Sequence, residues 1–308
     1  MITEPRYNLV IIHTPRLQDV ADFITIGNML IGAAPDICVI VLSIDRDVSS
    51  DMLRLINSRP TLIFCPTAID IPESIRGHRI TAKPKTKYNE YLALRSAGMP
   101  VPNSTLIRDI KDVTKVSQYS SVVVKPNSGM QGKDVNLVKV SDLKPYLENC
   151  LQSSRGDMLA QEFINTGPYP TSYRVFTVLG KAVYCVKSSA RVEQVIPEDN
   201  LPVQGIPISS NGQERSVTLA FDSDIINLAE CVHQKFPDIP TMGIDIIRQC
   251  ETHKLYVLEI NSRGLTWHIS SNYGKAFFSK YNLDIYNQFD ALKTISLRLV
   301  ETTRKMAV

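Results

Sequence analysis

Two short stretches late in the chain carry acids where a sheet would bring them together. Gly243-Ile244-Asp245-Ile246-Ile247 and Leu255-Tyr256-Val257-Leu258-Glu259-Ile260-Asn261 flank a polar turn centred near Thr252, a pattern that predicts a β-hairpin. In a regular hairpin Asp245 falls directly opposite Glu259, and the period of two puts Asn261 on the same face. The other face, with Ile244, Ile246, Tyr256, Leu258 and Ile260, is then the buried one. Opposed carboxylates destabilise a sheet by roughly a few tenths of a kcal/mol or more, so the pairing asks for a cation. Magnesium is one answer, because two carboxylates and an amide oxygen fill part of an oxygen octahedron and leave places for water and nucleotide phosphates. Neutralisation by Arg248 or Lys254 on a solvated sheet face is another, and a register that separates the acids is a third.

A second group of residues suits phosphate. Lys125 ends a strand containing three valines and precedes the polar loop Pro126-Asn127-Ser128-Gly129-Met130-Gln131-Gly132-Lys133-Asp134. Without side chains at Gly129 and Gly132, backbone N–H groups can approach phosphate oxygens; the same glycines also suit an ordinary long hairpin turn. The loop is not of the Walker type, since Gly132-Lys133 is followed by Asp134 and then by a strand. Leu159-Ala160-Gln161-Glu162-Phe163-Ile164 reads as a strand whose exposed end offers a carboxylate and main-chain groups to a base edge, or as a plain amphipathic strand. Lys87, near a helix start, is either a phosphate contact or a solvated lysine. No Ser/His/Asp or Cys/His constellation supplies a protein nucleophile.

The elements that must position these groups follow from periodicity. Val122 to Lys125 and Val135 to Val140 predict two antiparallel strands, followed by a helix over 141–151 and a strand over 158–164. Upstream, a helix from Lys87 to Ala97 ends at Gly98, with Pro100 just beyond. Downstream come strands over 173–179 and 182–187 and a loosely patterned Pro-rich stretch over 192–214. A helix carrying Ile225, Leu228, Ala229, Val232 and Phe236 follows, and a tail helix carries Phe289, Leu292, Ile295 and Leu299. At the N-terminus, strand, helix, strand, short helix and strand up to Cys65 predict a small parallel sheet with no Gly-rich dinucleotide fingerprint. The expected division is 1–82, 83–164 and 165–308.

Composition narrows the classes. A length of 308 residues suits two or three packed units. The longest apolar runs, such as Ile37 to Leu42, are strand-sized, so no segment spans a bilayer. A net charge of +3, from 34 basic and 31 acidic residues without a basic run interleaved with aromatics, argues against a nucleic-acid partner. Six cysteines occur singly, which fits reduced thiols better than zinc sites or disulfides. The start, Met1-Ile2-Thr3-Glu4-Pro5, lacks secretory features, and a cytoplasmic protein is the expectation.

In order along the chain, these pieces resemble the ATP-grasp superfamily, especially its ribosomal-protein glutamyl ligase (RimK-like) branch of carboxylate-amine ligases. The signatures are the helix with Leu92, Gly98-Met99-Pro100-Val101-Pro102, Val123-Val124-Lys125-Pro126 with Gln131-Gly132, and Gln161-Glu162-Phe163-Ile164. Tyr173-Arg174-Val175-Phe176, Gly243-Ile244-Asp245 and Leu258-Glu259-Ile260-Asn261 complete the set, spread over roughly residues 83 to 285. The resemblance implies an α/β protein of two α+β ATP-grasp lobes behind a Rossmann-like N-terminal domain. It further implies ATP and magnesium as cofactors, and an amide or peptide bond made through an acyl phosphate with release of ADP and phosphate. The substrates it implies are a small carboxylate and an amine, an amino acid or peptide; relatives of this kind commonly form dimers or tetramers, so a homo-oligomer is among the expectations.

By the same resemblance Lys87 and Lys125 contact the nucleotide's phosphates or base, with Gly129, Gln131 and Gly132 in the covering loop and Lys187 in the same cofactor-binding set. Glu162 and the backbone through Phe163 and Ile164, next to Gln161, hold adenine; Asp245, Glu259 and Asn261 hold magnesium; Arg174 stands near the transferred phosphate. The chain departs from the pattern at Ser172, where an acid is expected, near Ser210-Asn211-Gly212, where a basic stretch is missing, and at Ser262-Arg263-Gly264-Leu265, which replaces Pro-Gly. Arg263 is then an extra clamp for substrate carboxylate or acyl phosphate, or a loop arginine facing water. Trp267 and His268 line an acceptor pocket, or are a packed tryptophan and a surface histidine. His13 follows the first strand, where α/β folds often place ligand loops. A phosphoryl-transferring relative and a nucleotide-binding protein without activity are the alternatives to a ligase.

Overall fold

The computed structural model describes residues 4–129, 133–152, 156–193, 201–208, 214–261 and 267–308. Gln131, Gly132 and Arg263 therefore lie outside the described residues, as does the Ser210-Asn211-Gly212 stretch. The first three strands, β1 (Tyr7–His13), β2 (Ile37–Ser43) and β3 (Thr61–Cys65), join β4 (His78–Thr81) in a parallel sheet of order β2-β1-β3-β4. Helix α1 (Val20–Ala33) covers one face, with Phe23, Ile26 and Leu30 against Leu9 and Ile11. The short α2 (Ser50–Ile56) brings Ile56 to the other face, against Val10, Ile12 and Ile63. Cover on both sides is why these strands read as unbroken apolar runs.

Helix α3 (Lys87–Ser96) is started by Thr86, whose hydroxyl accepts from the Asn89 N–H at 3.3 Å. It is stopped by Gly98, whose φ of +74° is the left-handed position a glycine takes without strain. Beyond it lies an antiparallel sheet of order β11-β7-β6-β8-β5, built from β5 (Ser104–Ile107), β6 (Ser121–Pro126), β7 (Asn136–Lys139), β8 (Met158–Glu162) and β11 (Ile206–Pro207). Helix α4 (Leu143–Gln152) closes one side, Leu143 and Leu147 packing on Val122, Val124, Met158 and Ala160. Strand β11 comes from the Pro-rich stretch, so a segment far down the chain completes the edge of this central sheet. The β6–β7 hairpin is the expected one, whereas β8 ends at Glu162, two residues before the expected end.

A third sheet is also antiparallel, in the order β12-β10-β9-β13-β14: β9 (Thr171–Val178), β10 (Lys181–Ala190), β12 (Arg215–Leu219), β13 (Thr241–Arg248) and β14 (Leu255–Asn261). One face buries Val175, Ile244, Ile246 and Val257 beneath Ile225, Ala229 and Val232 of α5 (Ser223–Gln234). The opposite face carries Phe176, Tyr184 and Val186 against Ile295 and Leu299 of α8 (Ala291–Met306), in a core shared with Leu9 and Ile11 of the first sheet. That shared core fixes the N-terminal sheet against the third one. Two further helices, α6 (Asn272–Tyr281) and α7 (Ile285–Gln288), precede α8. No helix among the described residues is long and apolar enough to cross a membrane.

The acid-bearing hairpin departs from regularity at one place. Asp245 pairs with Glu259 as expected, but Ile246 then pairs with Val257, so Leu258 is an extra residue. A one-residue bulge moves everything beyond it to the other face. Val257 is consequently buried at 0 % exposure, and Tyr256 and Leu258, expected there, are only half-buried.

Candidate functional site

Three adjacent strands bring a cation and two acids into line: Arg174 on β9 pairs across to Asp245 on β13, and Asp245 to Glu259 on β14. Residues directly opposite in antiparallel strands share a face. The Arg174 guanidinium donates from Nε and Nη2 to the two Asp245 oxygens, each at 2.7 Å, a bidentate pairing that fixes both planes. Asn261, two residues past Glu259, donates from Nδ2 to Asp245 Oδ2 at 3.2 Å and keeps its amide oxygen for other use. The Glu259 carboxylate holds the Lys87 ammonium, which α3 carries in from the other side of the cleft. The cations that neutralise the acids are thus Arg174 and Lys87. Arg248 is engaged elsewhere, donating to Asp224 at 2.7 and 2.9 Å.

Lys125 ends up buried at 7 % exposure, its ammonium donating to Gln161 Oε1 at 3.0 Å, and Gln161 Nε2 donates in turn to the Ser104 hydroxyl at 3.0 Å. Three strands of the central sheet thereby orient one amine. The start of α3 is tied to the loop after β6 by Asn127, whose carbonyl and side-chain oxygens accept from the Lys87 and Tyr88 N–H groups at 3.1 and 3.0 Å. Asn127 and Ser104 were not expected as site residues; the only sequence signal is that Asn127 follows Lys125-Pro126 directly.

The electrostatics follow from burial and pairing. Burial pulls the Lys125 amine down to about 8, against the nearby Glu259 carboxylate and with the added push of Lys87. Glu259 is held at about 2: burial alone would raise it, but Lys87 and Lys125 outweigh that. Asp245 moves up, by burial first and then by the neighbouring Glu259, against the pull of Arg174. Arg174 stays charged beside Asp245. His268 is pushed down to about 4 by burial and then by Arg174, leaving a neutral imidazole stacked on Phe176 at 6.5 Å between ring centres.

Lys87, Lys125, Gln161, Arg174, Asp245, Glu259 and Asn261 are therefore gathered around one cleft. Lys187 is not with them: it lies opposite Tyr173 on the reverse face, its ammonium over the Tyr173 ring at 5.8 Å. The Glu162 carboxylate accepts from the Asn103 side chain and N–H at 2.8 and 3.1 Å. Phe163 packs with Val123, Leu137 and Leu201, and Ile164 is buried. At Gly129 an added Cβ would come to 3.5 Å from the Pro126 side chain, an ordinary contact. Trp267 is the packed tryptophan of the two readings, its ring centre 4.7 Å from that of Phe23 at a tilt of 38°, with its indole N–H donating to Asp22 at 2.8 Å.

For a divalent ion the available donors are oxygens only, two carboxylates and the Asn261 amide, which suits magnesium rather than zinc or copper. Among the described residues no cluster of three or more His, Cys, Asp or Glu offers a rival metal site. The donor set fits, on condition that the cations now on Asp245 and Glu259 are drawn off by another anion.

Comparison with known proteins gives the family and the fold. An ATP-grasp domain family model matches residues 85–267. A probable alpha-L-glutamate ligase of Legionella pneumophila (strain Corby) is 24 % identical over 184 residues, 59 % of this chain and 56 % of the relative. A tetrahydromethanopterin:alpha-L-glutamate ligase of Methanosarcina acetivorans is 29 % identical over 138 residues, 40 % of each. The chain thus spans about half the length of the curated relatives it matches. Among solved structures, the ATP-grasp ligase PsnB complexed with minimal precursor, Mg and ADP superposes with a TM-score of 0.56 at 16 % identity, covering 94 % of this chain and 97 % of that one. The D-cycloserine synthetase DcsG does so with a TM-score of 0.51 at 14 % identity, covering 96 % and 99 %. Both show the fold.

Proposed function

The chain belongs to the ATP-grasp family, and from that premise we propose that it is an ATP-dependent carboxylate-amine ligase. The observation that supports this most directly is the alternation of partly buried charge across the cleft, Lys87 on Glu259 and Arg174 on Asp245, with the buried Lys125 close by. Such an array accepts a triphosphate by exchanging partners. Lys87 and Lys125 balance the phosphates, and Arg174 meets the charge that develops on the transferred group. Asp245, Glu259 and the Asn261 amide oxygen are the residues that would hold magnesium, which when bound neutralises phosphate charge.

In this reading a substrate carboxylate attacks the γ-phosphorus, breaking the bond to ADP and giving an acyl phosphate. The amine then attacks the acyl carbon, expels phosphate and loses a proton, forming the amide. The protein positions the groups and excludes water, since an acyl phosphate hydrolyses. The relatives' names make glutamate the first amino acid to try. Ser172 and Ser262 to Leu265, where the chain departs from the family, bear on substrate choice.

The test is an ADP-release assay over pairs of amino acids and peptides, each partner omitted in turn. ADP with stoichiometric free phosphate and a new amide is the expected result. ADP without free phosphate would mean phosphoryl transfer to an acceptor, and no ADP with any pair would remove the ligase assignment.

A further inference from the structure

A strand at the edge of a sheet offers unpaired main-chain N–H and C=O groups to any passing strand, so folded proteins keep such edges short, charged, bulged or covered. Among the described residues the edge strands of this chain obey that rule with one exception. Strands β4 and β5 are short, and β11 is shorter still and ends in Pro207. Strand β12 carries Arg215. Strand β14 is bulged at Leu258 and carries Glu259, and its Val257 N–H already donates to the Pro100 carbonyl at 2.7 Å. The exception is β2, which runs Ile37-Cys38-Val39-Ile40-Val41-Leu42-Ser43 without a charge or a proline. Its register with β1 is unbroken from Ile37 to Ser43. As the last strand of its sheet it pairs with β1 alone, so alternate residues turn their main-chain groups outward.

The helix beside this edge is equally bare of charge. Asp22 is the sole charged residue of α1, and it is buried at 6 % exposure, accepting from the Trp267 indole at 2.8 Å and the Tyr286 hydroxyl at 2.9 Å. One flank of α1 is closed by α8, where the Ser296 hydroxyl meets Met29 Sδ. The other flank shows Val20, Ile24 and Ile31 at 39, 49 and 71 % exposure, side chains that fall within about 40° of one another around the helix axis. Val20 and Ile24 share a wall with Val41 and Leu42 of β2, so this flank adjoins the open edge. A Cβ added at Gly27, halfway along α1, would come to 3.7 Å from Val39, so the middles of helix and strand coincide. An open strand and a neutral apolar helix flank thus make one continuous face, of the kind that marks a contact surface.

We propose that β2 and the adjoining flank of α1 form an interface with a second copy of this chain, the two β2 strands pairing antiparallel about a two-fold axis near Ile40 and joining two four-stranded sheets into one. A second copy fits where a lone peptide strand does not. A peptide would satisfy the edge and leave Val20, Ile24 and Ile31 in water, whereas a second copy brings its own α1 at the same height, and the two flanks cover each other. Because the face holds no charge, a two-fold axis sets no like charges against each other anywhere on it. Both ends of the strand carry both signs, Asp36 bound to Arg304 at 2.7 and 2.9 Å at one and Asp45, Arg46 and Asp47 at the other, and antiparallel pairing lays one kind of end beside the other. The edge is about 23 Å long and, with the helix layer over the strands, about 20 Å high, so two copies cover on the order of 1,000 Å² in all, the threshold for a specific interface. The inference goes beyond the ligase reading and does not rest on it, since none of Lys87, Lys125, Arg174, Asp245 or Glu259 belongs to β2 or α1.

The experiment is sedimentation equilibrium of the full chain over a micromolar concentration series, and a monomer–dimer equilibrium is the expected result. Ile31→Lys, at a position exposed enough for the fold to accept a charge, buries an ammonium only in the dimer and should raise the dimer Kd at least about tenfold. Val41→Lys puts on the edge strand the charge that guarded edges carry and should do the same, with circular dichroism confirming that the variant is folded. Leu297→Lys is the control: its side chain is 54 % exposed, but on α8, across α1 from β2, and the dimer should be unchanged. Amide exchange over residues 37–43 should slow as protein concentration rises, while exchange over 78–81, the opposite edge of the same sheet, should not. A chain that stays monomeric through the series overturns the proposal. So does a dimer that Ile31→Lys weakens no more than Leu297→Lys, or one whose formation leaves exchange in β2 unchanged.

Discussion

Lys125→Met should make the protein more stable and less able to bind nucleotide at the same time. The amine is buried, and its folded value of about 8 lies well below the ordinary 10.5. Folding therefore disfavours the ammonium by roughly 3 kcal/mol wherever it must be charged, which is the whole range below pH 8. That penalty shrinks as pH rises through 8 and is gone above 10.5, where the amine is neutral in both states. Methionine matches the side chain's length and removes the charge, but it leaves Gln161 Oε1 without its donor, at a cost of about 1–2 kcal/mol. The net is roughly 1–2 kcal/mol of added stability at pH 6.5, a rise in Tm of about 2–3 °C for a chain of 308 residues. The measurement is thermal melting of parent and variant at pH 6.5 and again near pH 10, with calorimetric titration of Mg-ATP alongside. The gap in Tm should narrow at the higher pH, and Mg-ATP should raise the Tm of the parent only. A variant that melts below the parent at pH 6.5, or a gap that does not change with pH, would refute the account of a strained cation kept for its ligand.

Glu259→Ala should leave circular dichroism unchanged, because the side chain is on the polar face of β14, and should abolish magnesium-dependent ADP formation; normal turnover would remove Glu259 from the metal set. Arg174→Lys keeps the charge and loses the two-point hold on Asp245, so kcat should fall by about a hundredfold with ATP affinity changed no more than a few-fold, and a pure KM effect would contradict a role at the transferred phosphate. Magnesium alone should bind weakly, because Lys87 and Arg174 already occupy the carboxylates, and ADP should strengthen its binding by tenfold or more in calorimetry, on the order of 1.4 kcal/mol of coupling; independent binding of the two would show that no exchange of partners occurs.

What the sequence made legible was what one hairpin can encode. Asp245 and Glu259 pair because a polar turn and a period of two bring them opposite, and the structure keeps that register. The bulge at Leu258 left no trace, since Tyr256, Val257 and Leu258 are all suited to the buried face. Lys187 fell on the reverse face because β10 is buried on both sides from Ala182 to Val186, and an unbroken apolar run says nothing about which way its last residue points. The pairing of Lys87 with Glu259 joins residues 172 positions apart and exists only once α3 docks across the cleft, so neither local propensity nor spacing could reach it. His13 stood out as a histidine ending a strand.

The paired charges also explain why this site can be both folded and receptive. Two partly buried carboxylates facing each other on a sheet are unstable without cations, and a cluster of Lys87, Lys125 and Arg174 is equally unstable without anions. Interleaved, each set satisfies the other before any ligand arrives, so the pocket does not collapse or lose its geometry. A nucleotide phosphate competes for the cations, and each cation that turns to phosphate frees carboxylate oxygens for a divalent ion. Charge is compensated at every stage of such an exchange, which keeps its cost low in a poorly solvated cleft. Residues placed only to bind phosphate would need no acids opposite them, and residues placed only for stability would be better replaced by apolar ones. Retention of both signs, with Lys125 held well below its ordinary value, is the arrangement of a site whose resting partners stand in for its ligands.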